Sequence, residues 1–171
     1  EMTLNELQRQ LIEEIEIITK DMGLLNRKGE PAQMRGYPQA VPVFPLQLFP
    51  VLPGKGSEAE PCWDEAEGLF PYFVVRIDGA EYQKEEDVNQ ARVLIAFAVC
   101  DEDTKLRGYF TLTAVMERVI ERFQKNPVLG PFWCERKMNA AYQEDDTYSQ
   151  FFGALEMAWN VPAIEREEVY E

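Results

Sequence analysis

There is no histidine among the 171 residues of this chain. That absence removes imidazole general bases, Ser-His and Cys-His nucleophile pairs, and every zinc or iron site that uses a histidine ligand. Cysteine is scarce. Cys62, Cys100 and Cys134 are too widely spaced for a CxxC metal clip, and an odd number cannot pair off into a disulfide framework, so buried free thiols in a reducing compartment are expected. No apolar run approaches the ~20 residues that cross a bilayer, and the amino terminus has no basic-then-apolar signal pattern. A cytoplasmic protein with no membrane partner is therefore expected. Glu1 precedes Met2, which reads as a processing remnant before the natural start.

Positive charge is also in short supply. The 17 Lys and Arg against 31 Asp and Glu leave a net charge of −14, which a phosphate backbone would repel, so no nucleic-acid partner is expected. Phosphate-binding glycine loops are missing as well. Gly54-Lys55-Gly56-Ser57 fails as a phosphate loop, because Lys55 is followed by glycine and position 49 is Phe49. Ser57, Ser149 and the threonines have no histidine partner and no G-x-S-x-G elbow. Acid pairs are the catalytic groups left over. Asp101-Glu102-Asp103 falls short of a calcium loop, since the next ligand position is Lys105, and Glu144-Asp145-Asp146 reads as a hairpin loop. The expectation is a non-enzyme with no catalytic residue, no metal site and no cofactor.

What is present is a folding pattern. With 46% hydrophobic and 12% aromatic residues the chain is too apolar for a disordered acidic tail, and its length suits one domain. Residues 3–22 read as an amphipathic helix: Thr3 and Glu6 fit a capping box, Leu4, Leu7, Leu11, Ile15, Ile18 and Met22 make one apolar stripe, and Gly23 is a C-cap. That stripe can pack on its own core or on a neighbouring copy. Residues 24–69 are punctuated by prolines, among them Pro31, Pro38, Pro42, Pro45, Pro50, Pro53 and Pro61, which excludes helix and central strand. The residues between them are apolar, so the segment reads as extended chain or an edge strand lying over the core or a partner.

The remaining hundred residues alternate clearly. Residues 70–78 and 92–100 read as strands of an antiparallel hairpin, and 109–125 as a helix with Leu112, Val115, Met116, Val119, Ile120 and Phe123 on one face, ended by Asn126-Pro127. Residues 132–142 and 151–161 read as third and fourth strands. In the last, Leu155, Met157, Trp159 and Val161 alternate with Glu156 and Asn160, so one face is buried. The fold expected is α+β: a single, mostly antiparallel sheet of about four strands with a helix across one face, an N-terminal amphipathic helix and a Pro-rich extended segment. Residues 1–23, 24–69 and 70–164 form these three parts of one domain, and 165–171 is an acidic tail.

Binding through surfaces is the role that remains. Candidate interface residues are Leu4 and Leu11 on the first helix, Phe44 and Leu48 in the Pro-rich segment, Trp63 in an acidic loop, and Tyr148 and Phe151 beside the last loop. Phe151 and its neighbour Phe152 can equally start the fourth strand and enter the core.

Several segments carry a resemblance. Val93-Leu94-Ile95-Ala96-Phe97, Gly108-Tyr109 leading into Glu117-Arg118-Val119-Ile120, Asn126-Pro127-Val128-Leu129-Gly130, Phe152-Gly153 and the run from Trp159 to Arg166 resemble small proteins encoded in prophage structural-gene clusters of Gram-positive bacteria. The resemblance spans roughly residues 70–166. The element order also looks like that of tail terminator and tail-completion proteins of long-tailed phages, small α+β subunits that form a ring on the tail tube. It implies a virion-assembly protein, a tail terminator or head–tail joining subunit, whose partners are its own copies in a ring, the tail tube and connector proteins. It implies a virion component made in the bacterial cytoplasm. The Pro-rich region departs from the simple terminator pattern. Two other readings follow from the acidic charge: a DNA mimic that occupies a basic protein, and an acid-based metal-dependent enzyme.

Overall fold

The computed structural model describes residues 3–41, 69–82, 88–105, 107–144 and 147–163. Helix α1 spans Leu4–Thr19. Thr3 caps it as the sequence predicts, its Oγ1 accepting the Glu6 N–H at 3.3 Å. The reciprocal half of the capping box does not form. The Glu6 carboxylate turns instead to Arg9 and to the Gln10 amide, and the Arg9 hydrogen bonds hold its pKa down to about 2. Leu7, Leu11 and Ile15 are fully buried, and Gly23, at φ +68°, turns the chain after the helix. The stripe thus packs on the chain's own core, where burial of each such side chain contributes about 1.5–3 kcal/mol.

Six strands form one curled, mixed sheet: β1 (Arg35–Pro38), β2 (Tyr72–Glu81), β3 (Val88–Cys100), β4 (Val128–Leu129), β5 (Phe132–Tyr142) and β6 (Gln150–Pro162). Their spatial order is β1-β2-β3-β6-β5-β4, with β1 parallel to β2 and the other pairs antiparallel. The expected mostly antiparallel sheet of about four strands is therefore corrected to six strands in a mixed sheet, while the α+β class holds. The two additional strands sit at the edges, β1 within the segment read as extended chain or an edge strand. β1 has four residues inside the Pro-punctuated region and β4 has two, too short for alternation to register. Parallel pairing of β1 depends on a partner more than thirty residues away in sequence, which local pattern cannot reveal.

Helix α2 (Gly108–Lys125) packs on β3 and β6, and α1 packs on β1 and β2, so both helices serve the core. Leu112, Val115, Met116, Val119 and Phe123 of α2 are buried as the spacing predicts. The odd-numbered residues of β3 and β6, including Ile95, Phe97, Leu155 and Trp159, fill this core, and Phe123 meets Trp159 edge-on at 5.1 Å. The helices are joined by Arg122 to Glu14 at 2.6 Å and by Arg118 to Asp21 at 3.2 Å. A buried amide locks α1 onto the sheet: Gln8 Nε2 donates to Val75 O at 2.6 Å and to Gln39 Oε1 at 2.8 Å. Gln39 in turn accepts the Ile77 N–H on Oε1, closing the ladder where β1 stops. On the opposite face Phe70, Ala98 and Cys100 form a second, smaller cluster with Tyr72 and Phe152.

Candidate protein interface

Two features of this fold face solvent with apolar or unpaired groups. The first is the end of the sheet where the β3–α2 turn meets the β5–β6 hairpin. In the turn, Asp103 N–H donates to Asp101 Oδ1 at 2.9 Å, Lys105 N–H to Asp103 Oδ1 at 2.8 Å, and Arg107 pairs with Asp103 at 3.2 Å. The two aspartates are thus engaged by their own turn. Asp101 N–H reaches across to Ser149 O at 2.9 Å, and the Tyr148 hydroxyl donates to Glu102 O, tying turn to hairpin. The hairpin is braced by Gln143, which donates its N–H to Phe152 O at 3.1 Å and accepts the Phe152 N–H on its side chain at 2.8 Å. Below it, Tyr109 stacks edge-on against Phe151 at 4.7 Å. The tips of this hydrogen-bonded frame are aromatic: Phe110 is 76% exposed, Tyr148 46% and Tyr142 42%.

The second feature is the free side of β5. β4 pairs only with Phe132 and Trp133, and Cys134 N–H donates to Pro127 O at 2.9 Å. A bulge follows between Cys134 and Met138, held by Asn160 Nδ2 on Glu135 Oε1 at 2.6 Å and by Gln124 Nε2 on Arg136 O at 2.6 Å. Beyond it, Met138 to Tyr142 has β6 on one side and no strand among the described residues on the other.

The sequence-derived candidates are distributed as follows. Tyr148 lies in the aromatic end. Leu4 is partly buried against the core. Leu11 and Phe151 are fully buried in the core, the alternative that the sequence left open for each, and so are not available to a partner in this fold. The reason is geometric: Leu11 lies at the centre of the stripe that faces the sheet, and Phe151 fills the space above Gly108, where a Cβ would sit 2.0 Å from its ring. Phe44, Leu48 and Trp63 lie outside the described residues. Sequence reasoning passed over Phe110 and Ile17, both large, exposed and out of phase with the apolar stripe of their helix. That phase mismatch is the signal that could have found them.

Cys100 and Cys134 are buried and free, on opposite faces of the sheet. Burial pushes the Cys100 thiol up and, with the nearby Glu135 charge, pushes Cys134 up to about 12, so neither is activated as a nucleophile. Among the described residues no group of three or more Cys, Asp or Glu is placed to hold a metal ion. A cavity of about 280 Å³ opens beside the start of α1, lined by Thr3, Asn5, Tyr82, Asn89, Gln90 and Pro162 among others, and it gathers amides and hydroxyls with no acid or thiol among the described residues. Among the described residues no helix is long and apolar enough to cross a membrane.

No protein-family model matches this chain, and no curated protein matches it either.

Proposed function

We propose that this chain is a non-enzymatic assembly subunit of a phage tail, a tail terminator or head–tail joining protein that acts as a closed ring of identical copies. The observation that carries the assembly role is the aromatic end of the sheet. Phe110 at the start of α2, Tyr142 at the end of β5 and Tyr148 in the β5–β6 loop stand in solvent beside a turn and a hairpin that hydrogen bonds tie together, and exposed aromatic residues on a stiff frame are the anchors that protein interfaces use. Their ordering cost on binding is small because the frame is already held. The phage assignment comes from the sequence resemblance over residues 70–166, and a ring needs two complementary patches per subunit. On this reading the protein is made in the bacterial cytoplasm and ends in the virion, with the tail tube and connector as partners.

The acidic residues fit this role better than DNA mimicry. A mimic needs carboxylates displayed at regular intervals, whereas Asp101 and Asp103 are turned into their own loop and Glu6, Glu13, Glu14 and Glu121 are paired with arginine or lysine. The test is binding to isolated tail tubes, with tube length and subunit mass measured together. Tube capping that is lost in a Phe110→Asp, Tyr148→Ser double variant of unchanged circular dichroism is expected; a protein that neither binds tubes nor limits their length overturns the proposal.

A further inference from the structure

We propose that the free edge of β5 is the pairing site for a second copy of this chain, joined antiparallel about a two-fold axis at Ala140. This contact follows from the sheet edge alone and shares only Tyr142 with the aromatic end. The two ends of the sheet are treated differently. At the β1 end the edge is closed: Glu16 Oε1 accepts the Gly36 N–H at 3.0 Å, Pro38 has no N–H to offer, and the strand has only four residues. At the β5 end the bulge and the Gln124 side chain occupy the chain up to Lys137, and after that no described residue covers the edge. The stretch Met138-Asn139-Ala140-Ala141-Tyr142 carries no charge and no proline, and Asn139 to Tyr142 are solvent-exposed. Such an edge is a template for another strand.

The register follows from parity. Gln143 N–H points to β6, so backbone groups of odd-numbered residues here face inward and those of Met138, Ala140 and Tyr142 face outward. Cys134, whose N–H points to the β4 side, agrees with this. Two identical edges must therefore set outward residues against outward ones, which allows a two-fold axis at any residue from Met138 to Tyr142. Centring on Asn139 sets Tyr142 against Arg136, whose carbonyl already accepts from Gln124, and centring on Ala141 sets the apolar Met138 against the Glu144 carboxylate. Centring on Met138 sets Tyr142 against Cys134, whose N–H is already taken, and centring on Tyr142 moves Met138 past the hairpin loop. Centring on Ala140 engages all three outward residues: Met138 faces Tyr142 twice and Ala140 faces Ala140, for about six backbone hydrogen bonds. The small alanines allow close approach. Just beyond the paired stretch on each side of the axis, Arg136 in the bulge of one copy comes near Glu144 of the other, and both are exposed. Opposite charges meeting at both ends of a shared edge select a second copy as the occupant. A ring joined by sheet continuation would need β1 as the other half of the contact, and that edge is closed.

The test is mass measurement by light scattering across protein concentration, with two sets of variants. Ala140→Pro removes the central outward N–H without touching the β6 ladder, so circular dichroism is expected to stay, and the unfolding midpoint to match that of unpaired wild type at low concentration, while the mass of the assembly falls by half. Arg136→Glu and Glu144→Arg each bring like charges together and are expected to weaken pairing, and the double variant to restore it. Restoration reports this register even if Ala140→Pro fails to fold. A wild-type protein that is monomeric at every concentration, or pairing that survives both Ala140→Pro and the single charge reversals, overturns the proposal. Tube capping measured on the same samples reads the assembly role separately: capping by an unpaired variant leaves that role standing while pairing fails, and paired protein without capping does the reverse.

Discussion

Replacement of Gln8 tests how α1 is held to the sheet. Its amide is buried and donates two hydrogen bonds, to Val75 O at 2.6 Å and Gln39 Oε1 at 2.8 Å. Gln8→Leu removes both, a loss of about 1–3 kcal/mol at the usual net value per bond. Neither acceptor is orphaned, however. Val75 O keeps the Gln39 N–H at 2.9 Å, and Gln39 Oε1 keeps the Ile77 N–H at 2.8 Å. The leucine also buries apolar surface where an amide stood, which returns roughly 1 kcal/mol. The expected net cost is therefore about 1 kcal/mol. Gln8→Glu has nearly the same shape and a very different outcome, because at neutral pH it points a carboxylate at two oxygen acceptors. An uncompensated buried charge costs about 3–5 kcal/mol. Its folded pKa must then lie above the unfolded value near 4.3, so the penalty is absent below that value and grows as pH rises through the folded pKa. Urea unfolding followed by tryptophan fluorescence, at acidic and neutral pH with the slope checked for constancy, measures both variants. A loss above about 3 kcal/mol for Gln8→Leu, or a Gln8→Glu variant no worse than the leucine at neutral pH, would refute the reasoning.

Two further outcomes are expected. Gly108→Ala gains up to about 1 kcal/mol of helix propensity but drives a Cβ into the Phe151 ring, an overpacking cost of about 1–3 kcal/mol; a lowered thermal midpoint is expected, and an unchanged or raised one would show that the α2–β6 contact is loose. Burial raises Cys134 from 9.0 to about 12, so its stabilising share is complete below pH 9 and is lost as pH rises toward 12. Unfolding midpoints should fall above pH 9, and Cys134→Ala should flatten that fall; a parallel decline in both proteins would assign it elsewhere.

Much of the interior could be read from residue spacing. The stripes of α1 and α2, the alternation in β6 and the run in β3 each hide one face, and an apolar face in water is costly wherever the chain goes, so local periodicity sufficed to place Leu7, Leu112, Ile95 and Trp159. The Thr3 cap and the Asn126-Pro127 stop are likewise decided by neighbours in sequence. Candidate contact residues were harder, because a large apolar residue looks the same whether it ends in the core, as Leu11 and Phe151 do, or in solvent, as Phe110 does. What only the tertiary structure decided is the set of partners. The parallel pairing of β1, the insertion of β6 between β3 and β5, and the two-residue reach of β4 all depend on chain segments meeting across long separations, whose closure leaves no local mark. The stretch from Met138 to Tyr142 belongs to that class: its residues read as an ordinary strand, and among the described residues it is an edge because β4 stops after two residues. Composition and periodicity determined what must be buried; the order of strands decided which backbone groups were left over.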